Sequence, residues 1–147
     1  MINYFKSAER VLSERGNLER ALANLERRLE RTIKESGPGE LPAIDYSRPY
    51  VSASATADAL SACLEVAELM REINATKETI QEIDRALDQL SSDDASLLRA
   101  WYVERRTKED IAELLDYTST TTVYDLRNKA VGAFAILYYG AGALGSI

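Results

Sequence analysis

The fold is decided by residues 90–137, which read LSSDDASLLRAWYVERRTKEDIAELLDYTSTTTVYDLRNKAVGAFAIL. Apolar side chains recur at helical spacing in three successive blocks, which are separated by two short polar stretches. The sequence therefore predicts three helices joined by two short turns. A short helix, a tight turn and a second amphipathic helix form a helix-turn-helix, which can place its last helix in the major groove of DNA.

Polar residues suited to helix capping stand at the start of each predicted helix. Ser92 is the predicted N-cap of the first helix, because its hydroxyl can accept a hydrogen bond from an unpaired N–H of the first turn. Thr107 begins the second helix, and Asp110 stands three positions later as its capping-box partner. Residues 116–117 fall in the turn, and the polar run 119–122 then offers several N-caps to the third helix.

The same stretch carries a longer pattern. It consists of a leucine pair, a helix end with an aromatic residue, Thr-x-x-Asp-Ile-Ala-x-Leu-Leu, a turn, and Thr-Val-x-x-Leu-x-x-Lys-Ala. The residues that form it are Leu97, Leu98, Tyr102, Thr107, Asp110, Ile111, Ala112, Leu114, Leu115, Thr122, Val123, Leu126, Lys129 and Ala130. This pattern resembles region 4 of sigma-70-type transcription factors. The organisation of the whole chain resembles small phage and prophage regulators of the ArpU/RinA type. The resemblance implies a DNA-binding transcriptional regulator that reads a promoter with its last helix, with RNA polymerase as a candidate second partner.

If the third helix enters the major groove, its DNA-reading residues are those outside the apolar face that begins at Val123. These residues are Thr120, Thr121, Tyr124, Arg127 and Asn128. Arginine can pair with guanine through two hydrogen bonds, asparagine can pair with adenine, and threonine can contact phosphate or a thymine methyl group. Lys108 and Lys129 are the predicted phosphate contacts. Asp125 stands near the same face and would repel phosphate, unless it orients Arg127 or accepts a hydrogen bond from cytosine.

The charge of the chain is acidic, with a net value of −6. Residues 1–36 carry a net charge of +2, residues 37–93 carry −7 and residues 94–147 carry −1. Lysine and arginine contacts to phosphate supply most of a protein's non-specific affinity for DNA, and the C-terminal part is not basic. Either a local basic face exists despite the sum, or the binding is weak, or the helix-turn-helix serves another purpose.

Few residues are suited to catalysis or metal binding. The chain contains no histidine, which removes the commonest general base and the commonest transition-metal ligand. Its single cysteine, Cys63, excludes an intramolecular disulfide and is predicted to lie buried on the second long helix. Glu65, Glu68 and Glu72 share one helical face, and we interpret them as solvated. We therefore expect no enzyme activity, no metal site and no cofactor.

Two long helices are predicted before residue 90. The first covers residues 2–36, with a possible break at 16–17. Its apolar seam recurs every three or four positions and consists of Leu18, Leu22, Leu25, Leu29 and Ile33. The second covers residues 57–90 and carries a heptad seam from Val66 to Leu90. The two helices most simply form an antiparallel, coiled-coil-like hairpin, although the same seams would also pair between two chains. Residues 37–56 hold all three prolines and are predicted to be a linker.

The predicted fold class is all-α, with a helical hairpin over residues 1–90 and a helix-turn-helix domain over residues 91–147. Residues 130–147 contain no charged side chain. Glycines interrupt them, so we expect a last helix that ends near residues 139–140 and a flexible or partner-covered tail, with no membrane span. The long seam and this tail predict a homo-oligomer. The N-terminus lacks the apolar core of a signal peptide, which predicts a cytoplasmic location in a bacterial host.

Two other functions fit the same sequence. A phage DNA-packaging protein of the small-terminase type also joins a helix-turn-helix to helical oligomerisation elements, and it should form a ring. A structural interaction protein can keep this fold without binding DNA, and the acidic balance favours that alternative. The mass in solution distinguishes a ring from a regulator, and a salt series with DNA tests whether DNA is bound at all.

Overall fold

The computed structural model describes residues 2–36, 53–116 and 120–146. All regular secondary structure in these residues is helical, which confirms the all-α fold class. The α-helices are α1 (Tyr4–Ser36), α2 (Ala53–Asp88), α3 (Ser92–Leu98), α4 (Lys108–Leu114) and α5 (Thr120–Tyr139). A π-helical turn (Arg99–Val103) follows α3, and a 3-10 segment (Gly140–Ser146) follows α5. The predicted linker lies outside the described residues, except for 53–56, which already belong to α2.

The chain forms two compact units. The first unit consists of Met1–Leu18 and Thr79–Ile147, and the second consists of Glu19–Glu78. The first unit has a continuous core, and its largest fully buried side chains include Leu12, Ile83, Leu87, Leu97 and Phe134. Residues 1–18 and 79–90, which the sequence assigned to the hairpin, thus pack with the C-terminal helices in this unit.

Side-chain caps fix the starts of α3 and α4. Thr107 is the N-cap of α4, because its Oγ1 accepts a hydrogen bond from the Asp110 N–H at 3.2 Å, as predicted. The predicted cap of α3 is wrong by one residue. Ser91, and not Ser92, accepts the bond from the Asp94 N–H, also at 3.2 Å, while Ser92 is the first helical residue. Two serines in succession offer the same chemistry, so the sequence alone did not select between them.

The second unit contains the middle of α1 and most of α2. Leu69 and Ile73 of the predicted seam are buried here. On α1 the phase differs from the prediction near the end of the helix, since Thr32 is 9% exposed and Ile33 is 45% exposed. Cys63 is exposed, so the prediction that it is buried is wrong. It lies three residues before Val66, where the predicted seam begins.

Helix α5 and the 3-10 segment that follows it belong to the first unit. Helix α5 ends at Tyr139, and Gly140 follows with a φ of +82°, as expected for a glycine after a helix end. Ala143 in the 3-10 segment is fully buried in the core of the same unit, so the expectation of a flexible or partner-covered tail is wrong at this position. None of the described helices is both long and apolar enough to cross a membrane.

Candidate nucleic-acid interface

The candidate site lies on α5, α4 and the π-helical turn of the first unit. The buried side of α5 includes Val123, Ala130 and Phe134. Its opposite side carries small polar or charged side chains, all of them exposed. These are Thr121, Thr122, Asp125, Asn128 and Lys129, and Thr120 is exposed at the start of the helix. Five of the seven predicted DNA-binding residues are therefore accessible: Thr120, Thr121, Asn128 and Lys129 on α5, and Lys108 on α4.

Arg127 does not belong to this exposed side. Its side chain is only 17% exposed, and its Nη1 donates hydrogen bonds to Glu9 Oε2 at 3.2 Å and to Tyr102 Oη at 3.1 Å. Tyr102 Oη in turn donates to Glu9 Oε2 at 2.9 Å. The guanidinium also stacks on the indole of Trp101, 4.8 Å from the ring centroid. Our placement of Arg127 on the outward face is wrong. It is paired with Glu9, and no bond from Asp125 orients it.

The spacing of α5 explains this inward orientation. Arg127 follows Val123 by four residues and precedes Ala130 by three, and both of those residues are fully buried. Residues at these spacings share one side of an α-helix. The sequence therefore contained the signal that Arg127 faces inward. It contained none for Glu9, which is 118 positions away.

The Tyr102 phenol lies in the buried part of this cluster. Burial, more than any neighbouring charge, raises the pKa of Tyr102 to about 12. The phenol is protonated at neutral pH, as an ordinary tyrosine is, and donates to Glu9 Oε2. Arg127 Nε is buried and has no hydrogen-bond partner among the described residues. Together these features make Arg127 part of the internal structure of the unit.

Tyr124 and Lys108 form a second layer beside this cluster. The Tyr124 ring lies 5.3 Å from Trp101 in an edge-to-face arrangement. Lys108 Nζ lies over the Tyr124 ring, 4.6 Å from its centroid, which links α4 to α5. Such cation–π contacts contribute about 0.5–1 kcal/mol at exposed sites. The structure thus brings Lys108, Tyr124 and Arg127 together in an aromatic cluster, apart from the exposed residues of α5.

Two cations that we did not predict lie between the π-helical turn and α4. Arg105 and Arg106 are both exposed, and Arg105 has a φ of +54°. Arg106 is paired with Glu104 at 2.6 Å. The sequence signal was a pair of adjacent arginines directly before the Thr107 cap. Exposed arginine is one of the side-chain types that contact phosphate in protein–DNA interfaces.

Comparison with known protein families, with characterised proteins and with solved structures gives no match for this chain. In the part of the chain that the structure describes, no cluster of cysteine and carboxylate side chains is arranged to hold a metal ion.

Proposed function

We propose that this protein is a DNA-binding transcriptional regulator of phage or prophage origin, with α4 and α5 as a sigma-region-4-like helix-turn-helix. The observation that carries the proposal is the exposed side of the first half of α5, residues 120–129, which presents short polar side chains, an aspartate and a lysine. Such a side suits a helix that lies in a major groove, where polar groups meet base edges and phosphates. RNA polymerase is the second partner that we propose, from the resemblance alone.

The proposed readout uses fewer residues than the sequence suggested. Asn128 is the candidate for a base contact, since a side-chain amide matches the donor and acceptor of adenine. Thr121 is placed to contact phosphate or a thymine methyl group, and Lys129 to contact phosphate. Arg127 orients Tyr124 and Trp101 from within, so it acts as a positioning residue and does not read a base.

The long helices form an antiparallel hairpin in this proposal. Arg15 of α1 is paired with Asp84 of α2 in the first unit, with Nε and Oδ1 2.7 Å apart. In the second unit Glu26 of α1 is paired with Lys77 of α2 at 3.7 Å. From the first of these pairs to the second, the residue number rises on α1 and falls on α2, which supports antiparallel pairing.

A structural interaction protein is the second candidate, and the charge of the α5 surface favours it. Asp125 is exposed among the proposed DNA contacts, and Arg127, the strongest base-reading residue type on α5, is held inward by Glu9. A protein that has lost DNA binding would tolerate both features. The two candidates differ in whether duplex DNA binds with a dependence on salt.

The test is fluorescence anisotropy with duplexes from the region around the protein's own gene, over a salt series from about 50 to 200 mM. Asn128→Ala should cost about 1–3 kcal/mol on the preferred sequence and reduce discrimination at one base pair. Lys129→Ala should weaken all duplexes alike and lower the salt slope by about 0.9. Gln81→Ala, an exposed polar residue of α2, is the matched control and should change neither quantity.

The regulator proposal is wrong if the wild-type protein binds no duplex at low salt. It is also wrong if Asn128→Ala and Lys129→Ala bind as tightly as Gln81→Ala does. Either result would favour the structural interaction protein.

A further inference from the structure

The second unit carries five cations along one outer side of α1. These residues, which we name the basic stripe, are Arg20, Arg27, Arg28, Arg31 and Lys34, and all five are exposed. At 3.6 residues per turn, Arg20, Arg27 and Arg31 project within an arc of about 40°. The opposite side of α1 carries the half-buried leucines of its own apolar seam. From first to last, the stripe spans about 21 Å of helix.

Acidic side chains of the unit do not neutralise the middle of this stripe. Arg27 donates to neutral groups, the Asn24 side-chain oxygen at 2.6 Å and the Ala23 carbonyl oxygen at 3.4 Å. Glu26 is instead paired with Lys77 of α2. In the described parts of the chain, no carboxylate forms an ion pair with Arg27, Arg28 or Arg31. Glu30 lies beside the stripe, and Glu35 lies within its arc one turn after Arg31, so the excess positive charge is in the middle of the stripe and not at its end. The stripe therefore concentrates positive charge on a chain whose net charge is −6.

The shape of this surface is a shallow open groove. Asn24, Arg27, Arg28 and Arg31 line it, with no large apolar side chain among them. Protein interfaces usually have an apolar centre, so an acidic protein helix would bury these arginines with little gain from apolar contact. A phosphate backbone needs no apolar centre, and the guanidinium fork matches phosphate with two parallel hydrogen bonds.

We propose that the basic stripe binds the phosphate backbone of duplex DNA and supplies electrostatic affinity that the α5 surface lacks. Duplex DNA carries one negative charge per about 1.7 Å of its axis, so a stripe of this length can meet several phosphates. The contact is independent of sequence, because phosphates carry no base information. This inference rests on the proposed function only in taking DNA as the partner. The residues of the stripe are separate from those of α5.

The experiment compares two double variants by anisotropy with a mixed-sequence duplex three helical turns long, over the same salt series. Arg27→Ala with Arg31→Ala removes the centre of the stripe, and both changes keep good helix formers at exposed positions. Arg71→Ala with Arg85→Ala removes the same charge from exposed positions on α2 and is the control. The stripe variant should lower the salt slope by roughly two, whereas the control should leave the slope within error of wild type. Light scattering on each variant records its mass.

An unchanged slope for the stripe variant overturns the inference, and so does an equal loss in the control, which would report net charge alone. A change in mass without a change in DNA binding would show that the stripe contacts a second copy of the chain, and would overturn the inference as well. The variants of α5 distinguish a failure of the stripe inference from a failure of the proposed function. If Asn128→Ala and Lys129→Ala weaken binding while the stripe variant does not, the regulator stands and the stripe does not. The reverse result leaves the stripe and removes promoter reading by α5.

Discussion

The guanidinium of Arg127 joins three elements of the first unit. It contacts Glu9 of α1, Tyr102 of the π-helical turn and the ring of Trp101, all from its position on α5. A charge this far from water depends on its partner, and removing one member of such a pair leaves the other without compensation. The first consequence of changing Arg127 should therefore be a loss of stability.

We predict that Arg127→Ala lowers the free energy of unfolding by about 1–3 kcal/mol, which is less than for a fully buried pair because the Glu9 side chain is 30% exposed. Urea denaturation followed by circular dichroism measures this difference. Lys129→Ala, two residues along the same helix but exposed, is the control and should stay within about 0.5 kcal/mol of wild type. Equal denaturation curves for the two variants would show that Arg127 makes no net contribution.

A double-mutant cycle isolates the contribution of the pair. In the Glu9→Gln background, Arg127→Ala should cost less than in the wild type, because the charge that it compensates is already gone. A cost that is unchanged by Glu9→Gln would assign the loss to the contacts of Arg127 with Trp101 and Tyr102.

At single residues, the sequence predicted what local chemistry determines. The Thr107 cap and the exposure of Asn128 follow from neighbours within one turn of helix, and both were predicted. Arg127 was misplaced because its charge was given more weight than its spacing from Val123. The contact of Arg127 with Glu9 joins distant parts of the chain, and no local pattern encodes it.

Two glycines of the helices should respond to substitution by alanine with opposite changes in stability. Gly140 ends α5 with a φ of +82°, a conformation that costs an L-residue about 1 kcal/mol. Gly16 lies within α1, and a methyl group added there would meet no atom within 4 Å. We predict that Gly140→Ala destabilises the protein by about 1 kcal/mol, whereas Gly16→Ala stabilises it by about 0.5–1 kcal/mol. Thermal melts of both variants beside wild type measure the signs, and shifts in the same direction would contradict the prediction.

The junction between α1 and α2 in the first unit should respond to acid. Hydrogen bonds from Arg15 to Asp84, 2.7 and 2.8 Å long, hold the pKa of this carboxyl below its usual value of about 3.8. A lowered pKa means that the pair stabilises the fold above pH 3.8, and that this contribution is lost as the pH falls through the pKa in the folded state. We predict that Asp84→Asn costs about 1–2 kcal/mol at neutral pH and that its difference from wild type shrinks below pH 3.8.

Melting temperatures at pH 7 and at acid pH check this prediction. Asp88→Asn is the control, since the Asp88 side chain is 75% exposed and its nearest cation, Arg99, is 3.5 Å away. A gap between Asp84→Asn and wild type that is the same at both pH values would show that the carboxylate is not the titrating group.

The elements were predictable wherever a period or a terminating residue marks them. The α5 helix ends at Tyr139 because glycines follow, and α2 buries Leu69 and Ile73 as its heptads require. The π-helical turn after Leu98 was not predicted, because the apolar spacing of Trp101 and Tyr102 fits a continued α-helix equally well. Ile33 was placed on the seam by its type, and Thr32 is buried in its place.

The apolar surface that the molecule leaves exposed differs from the surface that the sequence suggested. We expected the long seam and the uncharged tail to drive oligomerisation. Leu69, Ile73 and Leu87 of the seam are buried within a single chain, as is Ala143 of the tail. Leu144 of the tail stays 61% exposed. Three of the other large apolar side chains that stay exposed lie elsewhere on α2 in the second unit, and exposed apolar groups that share one helix are typical of association surfaces.

We predict that the protein is a dimer or larger at tens of micromolar, and that this state depends on the outer apolar side of α2. Leu60, Leu64 and Met70 are 60%, 56% and 51% exposed there. Burying such side chains yields roughly 25 cal/mol for each Å² removed from water. Light scattering should report at least twice the 16.4 kDa of one chain, and Leu60→Glu with Leu64→Glu should return the mass to that of one chain. Leu114→Glu is the control, because Leu114 is 50% exposed in the first unit, and it should leave the mass unchanged. A wild-type mass of a single chain, or an equal effect of Leu114→Glu, would rule out this surface as the site of assembly.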